Sequence, residues 1–381
     1  MIRAFDMFCG GGGSSYGAAL AGVSVVGGVD AWALATEVFA DNFPEARVFT
    51  ERVEELDPRF ILDKIGLVDL LVASPECTNH SCARGARPRL EASRETALQV
   101  VRYARVMKPR WIIIENVIHM RPWSRYPDLL QALRDEGYRI AEHVLDAADY
   151  GVPQKRKRLF LLCDREAEPP SRIPKRRGPK RLAAGILDNP GTWNRSPLYN
   201  GRRAAATLER AERGFAALGR NVPFLIVYYG SDGAGGWQPL TVPLRTITTL
   251  DRFGLCEPSD DGPMLRMLQV PELARAMGFN DDLILKRGTR RDRIMLLGNG
   301  VCPPVMAAAV RDLVGRELSD DQRDGSADSS LMRRPVDAAV APNHADSIHE
   351  HDPDAKGVRP APTPIERGAR SVPSKRAEIA A

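Results

Sequence analysis

The sequence predicts an α/β fold built on a parallel, doubly wound sheet. Over the first 160 residues, apolar segments of strand length alternate with helix-like segments, a glycine-rich segment follows the first strand, and polar residues stand where strands end. In open sheets of this kind, ligands bind at the carboxyl ends of the strands. We therefore expect the functional residues to lie at that edge.

The predicted strands are short apolar runs at residues 2–8, 23–29, 68–73, 111–114 and 159–163. Residues 93–107 and 126–136 between them have helical spacing, as do later segments at 271–277 and after the Pro303-Pro304 pair. No apolar run approaches the roughly 20 residues that span a bilayer. The N-terminus also lacks the pattern of a secretory signal. We expect a cytoplasmic protein without a membrane segment.

The pattern changes along the chain and predicts four regions. Residues 1–164 form the α/β domain, and at 165–243 the alternation fades as the composition turns to Arg, Pro and Gly, which indicates a small inserted domain. Residues 244–318 return to the α/β domain and complete it. Residues 319–381 contain no Phe, Trp or Tyr, and we expect this tail to be disordered.

The net charge of +5 hides an uneven distribution. Residues 154–220 hold 17 Lys and Arg against 6 Asp and Glu, a local excess of +11. Such a block suits a polyanion, because each neutralised phosphate releases counterions. The alternative is a solvated basic face.

The first motif is the glycine-rich loop DMFCGGGGSSYG at residues 6–17. Glycine lets backbone N–H groups and a helix N-terminus approach a ligand closely, because no Cβ is in the way. The loop lacks the Lys and Ser/Thr of a P-loop, and it does not fit the GxGxxG spacing. Asp30 follows the second predicted strand, where an acidic side chain typically binds ribose hydroxyls. A nucleoside-containing cofactor is therefore favoured over a tight structural turn.

Two further motifs follow the third and fourth predicted strands. Cys77, in VASPECTNHSCARG, is a candidate nucleophile, and a buried inert thiol is the alternative. His80 and Cys82 lack a second Cys/His pair, so we expect no metal site. Glu115, in IIIENV, is either a carboxyl of raised pKa that serves a heterocycle or half of a structural ion pair.

The segment QKRKR at residues 154–158 precedes the last predicted strand. Strand alternation places Gln154, Arg156 and Arg158 on one side. One arginine could hold a phosphate while the next supports a substrate base. A basic edge strand that resists aggregation is the alternative.

Taken in order, these motifs together with RTITT at 245–249 and GNGVCPPV at 298–305 resemble the cytosine-C5 DNA methyltransferases over about the first 318 residues. The resemblance implies a Rossmann-like methyltransferase domain that binds S-adenosylmethionine, with a small inserted target-recognition domain at 165–243. It also implies these cofactor-binding positions: Phe8, Gly10, Gly12, Asp30, Trp32, Asn299 and Val301.

The same resemblance implies a catalytic set at Cys77, Glu115, Gln154, Arg156 and Arg158. The Cys77 thiolate would add to carbon 6 of a flipped-out cytosine, so that carbon 5 becomes nucleophilic enough to take the methyl group. Glu115 would hydrogen-bond ring nitrogen 3 and the exocyclic amine. Arg158 would hold the base carbonyl, and Arg156 would position the backbone. The implied partner is double-stranded DNA, and a cognate restriction endonuclease is left open. We expect a monomer.

The sequence departs from the family pattern in two places. Glu76 stands beside the candidate nucleophile, where a carboxylate disfavours the thiolate unless it points away. In TERVEEL, the acidic contact to the adenine is either Glu51 or absent, with Arg52 in its place. Two alternative functions are methylation of tRNA and DNA binding without catalysis.

Overall fold

The computed structural model describes residues 1–76, 94–229 and 235–315. Cys77, His80, Cys82 and the predicted tail at 319–381 lie outside these ranges. The strands of the main sheet are β1 (Arg3–Met7), β2 (Ser24–Asp30), β3 (Arg47–Thr50), β4 (Leu70–Ala73), β5 (Trp111–Asn116), β6 (Arg139–Asp146) and β7 (Lys157–Asp164).

The main sheet has seven strands in the order β3-β2-β1-β4-β5-β7-β6. Strands β1 to β5 pair in parallel, which confirms the predicted α/β class. The predicted parallel arrangement does not extend to β7, which is antiparallel to both β5 and β6. Strands β3 and β6 were not predicted. Strand β3 has only four residues, and in β6 the side chains are mostly exposed or half-buried, so neither presents an apolar run.

Helices cover both faces of this sheet. The α-helices of the described residues are, in chain order, α1 (Gly13–Leu20), α2 (Ala33–Asn42), α3 (Pro58–Ile65), α4 (Gln99–Met107), α5 (Tyr126–Asp135), α6 (Ala205–Leu218), α7 (Val270–Met277), α8 (Arg290–Asn299) and α9 (Pro303–Val314). Of these, α6 packs instead against the second sheet described below. Within β5, Ile113 belongs to the hydrophobic cluster that includes α1 and α9, whereas Ile112 and Ile114 belong to the cluster on the other face, with α3, α4 and α5. The strand alternation therefore builds both cores.

A second, antiparallel sheet has five strands in the order β10-β9-β11-β12-β8. They are β8 (Ser196–Pro197), β9 (Phe224–Val227), β10 (Trp237–Pro239), β11 (Phe253–Glu257) and β12 (Met264–Met267). Helix α6 packs against β9, where Phe215 meets Phe224 with ring centroids 5.3 Å apart. Two of the five strands follow residue 243, so this sheet draws on both sides of the predicted boundary. The four-region division itself stays a prediction.

The segment Arg290–Val314 is long and apolar enough, by composition alone, to cross a membrane. Charged and polar residues interrupt this segment, so it contains no unbroken apolar run of membrane-spanning length. In the fold it comprises α8 and α9, and 67% of its most apolar part is buried inside the protein. Packing in the core therefore accounts for its apolar character.

Candidate active site

The glycine-rich loop leaves the end of β1 and enters α1. The Cys9 N–H fixes the loop to β2 by donating to Val29 O at 3.0 Å. Three loop residues have left-handed backbone conformations: Phe8 (φ 59°), Gly10 (φ 51°) and Gly12 (φ 91°). A left-handed aromatic residue is rare and strained, and such strain concentrates at functional sites. A Cβ on Gly10 would have no heavy atom within 4 Å, so this part of the loop faces open space.

Asp30, the last residue of β2, holds the loop in place. Its Oδ2 accepts from the Gly10 N–H and its Oδ1 from the Trp32 N–H, each at 2.9 Å. Burial raises the pKa of Asp30, and these two hydrogen bonds oppose the rise. A carboxylate offers about four acceptor positions, so capacity remains for the hydroxyls of a ligand.

These elements line a cavity of about 360 Å³ at the carboxyl edge of the main sheet. The cavity brings together most of the predicted residues: Phe8, Gly10, Asp30, Trp32, Glu115, Arg158, Asn299 and Val301. Gly12 is not among its lining residues. A Cβ at Gly12 would lie 2.7 Å from Phe43 Cε2, so the glycine there allows the loop to pack against an aromatic ring.

The wall nearest β4 is formed by Ser74, Pro75 and Glu76. Asn116, at the end of β5, donates from Nδ2 to Pro75 O at 3.0 Å and accepts the Val117 N–H on Oδ1 at 2.8 Å. The asparagine of the ENV motif therefore fixes the chain just before the predicted nucleophile. Cys77 itself follows Glu76 and lies outside the described residues.

Glu115 and Arg158 form an ion pair at the cavity. Arg158 Nε lies 3.2 Å from Glu115 Oε1, and the two side chains are only 16% and 7% exposed. Burial raises the pKa of Glu115, while the positive charges of Arg158 and Arg156 lower it. Both residues also line a much smaller adjoining cavity with Arg156 and Cys302. The pair thus offers a hydrogen-bonding carboxyl beside a guanidinium.

Arg156 and Gln154 are buried and do not line the large cavity. Arg156 donates from Nη1 to Ile247 O at 3.0 Å, and from Nη2 to Gly298 O at 2.8 Å and Gly300 O at 2.9 Å. Gln154 donates to Ala276 O at 3.0 Å, and its Oε1 accepts the Ile247 N–H at 2.9 Å. Both side chains therefore join distant chain segments in the fold.

Sequence reasoning missed part of the cavity wall. Further lining residues include Val53, Glu54, Phe279, Leu283, Leu285 and Leu296. Arg52 also lines the cavity, whereas Glu51, the other candidate in TERVEEL, does not. The segment TERVEEL was a signal for residues 52–54 of this wall only, and the strand β3 that leads into it was not recognised. Among the described residues, no group of three or more His, Cys, Asp and Glu could hold a metal ion.

Comparisons with known proteins give methyltransferases as relatives. The type II methyltransferase M.HgiDI of Herpetosiphon aurantiacus is 33% identical over 169 residues, 43% of this chain and 52% of that protein, so the match spans about half of M.HgiDI. The type II methyltransferase M.MthTI of Methanothermobacter thermautotrophicus is 26% identical over 336 residues, 82% of this chain and 97% of that protein.

The fold is also similar to that of the S. pombe Dnmt2 methyltransferase, with a TM-score of 0.58, 17% identity, and coverage of 84% of this chain and 99% of that one. The family model for C-5 cytosine-specific DNA methylase matches residues 2–315. That match takes in every described strand and helix from β1 to α9. This chain therefore belongs to the C-5 cytosine-specific DNA methylase family.

Proposed function

We propose that this protein transfers a methyl group from S-adenosylmethionine to carbon 5 of a cytosine in a short DNA sequence. The observation that carries the proposal is the shared cavity: the glycine loop and Asp30 line it together with the Glu115–Arg158 pair and the segment that leads to Cys77. A cofactor site and a base site therefore adjoin, as methyl transfer between the two requires.

The residues present fit the proposed cofactor. A volume of about 360 Å³ lies in the range of small-molecule sites. Asp30 has acceptor capacity left for ribose hydroxyls, and Gly10 leaves room for close approach of a ligand to the backbone. Phe8 and Trp32 supply apolar surface for a ring. When bound, S-adenosylmethionine supplies an electrophilic methyl group.

The proposed chemistry assigns one task to each reacting side chain. The Cys77 thiolate adds to cytosine carbon 6, which makes carbon 5 nucleophilic. Glu115, with its raised pKa, is suited to donate a hydrogen bond to ring nitrogen 3 and to accept one from the exocyclic amine. Arg158 holds the base carbonyl. After carbon 5 has gained the methyl group, the carbon-5 proton is lost to solvent and the bond between carbon 6 and the sulfur breaks, which restores the cytosine ring and the Cys77 thiolate.

In this proposal Arg156, Gln154 and Asn116 position other parts of the site and do not contact the cytosine. Arg156 positions the loop that carries Asn299 and Val301, because it donates to Gly298 O and Gly300 O. Gln154 supports the fold behind this loop by joining Ala276 to Ile247. Asn116 positions the chain ahead of Cys77 through Pro75 O. The base itself must leave the duplex to reach these groups, at a cost of a few kcal/mol.

The proposed substrate is double-stranded DNA, with residues 165–243 as the target-recognition region and one chain as the active unit. The family membership supports this choice over RNA, and the local charge of +11 at 154–220 suits the phosphates of a nucleic acid. Type II names among the relatives also make a cognate restriction endonuclease a proposed partner.

The test is base-resolution mapping of 5-methylcytosine in DNA from cells that express this chain, beside a Cys77→Ala control. We expect methylation confined to one short motif and absent from the control. Retained methylation in the control would overturn the assignment of the nucleophile. Unmethylated DNA in cells that make folded protein would overturn the DNA substrate, and labelled methyl transfer to purified tRNA would then identify an RNA enzyme.

A further inference from the structure

Among the residues that the structure describes, the most strongly charged exposed segment lies outside the active-site cavity. Residues 172–181, RIPKRRGPKR, hold six Lys and Arg and no acidic residue. We call them the basic segment. All six basic side chains are exposed, and none of them lines the large cavity. Six like charges in ten residues repel one another, so this surface favours an anionic partner.

The path of the chain carries the basic segment to the catalytic edge of the sheet. After β7 the chain returns along the edge strand β6, where His143 Nε2 donates to Pro170 O at 2.9 Å. Further on, Tyr150 donates to Ile173 O at 3.3 Å. Strand β6 runs in the same direction as β5, so its end lies at the edge from which Glu115 projects.

Asp149 anchors the basic segment at that edge. The Asp149 carboxylate forms ion pairs with Lys175 at 2.7 Å and Lys180 at 3.0 Å, and its carbonyl accepts the Arg176 N–H at 3.0 Å. The hydrogen bond from Lys175, with support from Lys180, lowers the pKa of Asp149. One carboxylate thus fixes the segment while its overall charge stays strongly positive.

We propose that the basic segment binds the phosphate backbone of a DNA duplex beside the flipped base, and that it positions the duplex without reading its sequence. The proposal rests on the proposed methylation of DNA. It separates Arg172, Arg177 and Arg181, which contact phosphates, from the other arginines of residues 165–243, which are left for base recognition.

The distances suit a duplex whose target base enters the cavity. Strand β6 lies two strands from β5, about 10 Å across the sheet at the usual strand spacing of about 4.8 Å. Duplex DNA carries roughly one charge per 1.7 Å of its axis, so several phosphates pass within reach of the basic segment. The segment belongs to the first part of residues 165–243, and just after it the Ala183 N–H donates to Val242 O at 2.9 Å. It therefore connects the edge near the cavity with the rest of the region proposed to recognise the target.

The test measures how DNA affinity depends on salt. In the variant Arg172→Gln, Arg177→Gln, Arg181→Gln, three phosphate contacts are lost, so the slope of log K against log salt should become shallower by about 2.7. If only the electrostatic part of binding changes, the affinity of the variant is roughly 100-fold below that of the wild type at 0.15 M salt. The plots of log K against log salt for the two proteins then converge near 1 M. The same three positions changed to Lys should keep the wild-type slope.

A matched control removes three charges at the opposite edge of the sheet. Lys64, Lys108 and Arg134 are exposed and stand at the ends of helices, each before a strand begins. Their change to Gln should leave the slope and the methyl transfer unchanged. The basic-segment variant should still transfer methyl groups when DNA exceeds its own Kd, because the three arginines do not line the cavity.

The outcomes separate the two proposals. If the Gln variant of the basic segment keeps the wild-type slope, the inference is overturned. The proposed function is unaffected by that result, provided that the wild type binds and methylates duplex DNA. An equal change of slope in the matched control also overturns it, because the effect would then follow net charge alone. A wild type that acts on tRNA and not on duplex DNA overturns the DNA partner and the proposed function together.

Discussion

Arg156→Met is the substitution that best tests how this site is held together. Arg156 is buried, and its guanidinium donates to three backbone carbonyls, at Ile247, Gly298 and Gly300. Methionine is of similar length and donates no hydrogen bond. Each buried carbonyl that loses its donor costs about 1–3 kcal/mol, and removal of a buried charge offsets part of that loss. We expect the free energy of unfolding to fall by about 3–5 kcal/mol.

The same substitution should weaken cofactor binding. Gly298 and Gly300 flank Asn299, a residue of the cavity wall, so loss of their common donor releases that wall. A displacement that costs about 1.4 kcal/mol in binding raises the Kd tenfold. Calorimetric titration with S-adenosylmethionine should therefore show a Kd at least about tenfold higher for Arg156→Met than for the wild type.

Arg158→Met provides the matched comparison. Arg158 contacts Glu115 at the cavity, and its one other hydrogen bond within the described part of the chain is to the carbonyl of its neighbour Lys157. When Arg158 is lost, Glu115 can take up a proton instead of remaining as a buried charge. We expect a stability change of only about 1–2 kcal/mol, but methyl transfer should be abolished. Urea unfolding of both variants checks the ranking. If Arg156→Met stays within about 1 kcal/mol of the wild type and binds the cofactor normally, the positioning role of Arg156 is wrong.

Three further perturbations test other parts of the structure. Burial raises the pKa of Asp6 from 3.8 to about 7, so the contribution of this carboxyl to stability is full below about pH 4 and is lost as the pH rises to about 7. Between those limits the stability of Asp6→Asn should therefore gain up to about 4 kcal/mol relative to the wild type. Parallel pH profiles of the free energy of unfolding for the two proteins would contradict this. Gly298→Ala places a Cβ 2.3 Å from Thr248 O and should unfold more easily by about 2 kcal/mol or more, whereas Gly185→Ala, with no atom within 4 Å, should be neutral in the same thermal melts. Deletion of residues 319–381 should leave methyl transfer intact, because the family match ends at residue 315; loss of transfer by folded, truncated protein would refute this.

The sequence predicted strands β1, β2 and β4 of the main sheet better than strands β6 and β7. Strand β4 is an uninterrupted apolar run and β1 and β2 are largely apolar, and the alternation with helices predicted their parallel pairing. Strand β6 was missed because it lies at the edge of the sheet, and its pattern of half-buried and exposed residues resembles a loop. The second sheet was also not predicted, since its short strands come from both sides of residue 243.

The candidate site divides in a similar way. Asp30 and Gly10 could be located from sequence, because strand ends and glycine loops meet at one edge. The bonds of Arg156 and Gln154 could not, because their partners lie about 90 to 140 residues away along the chain. Strand alternation places Gln154, Arg156 and Arg158 on one side, but it does not say that the first two are buried among backbone carbonyls while the third reaches the cavity.

The antiparallel direction of β7 has a direct bearing on catalysis. In a parallel strand, Arg158 would begin β7 at the amino edge of the sheet, about 17 Å from the end of the six-residue strand β5. The antiparallel direction instead pairs Glu115 with Phe160 and Asn116 with Leu159, so the start of β7 lies beside the end of β5. Arg158 can reach Glu115 only in this arrangement. The one reversed strand of the sheet therefore brings the proposed base-binding arginine to the carboxyl that it accompanies.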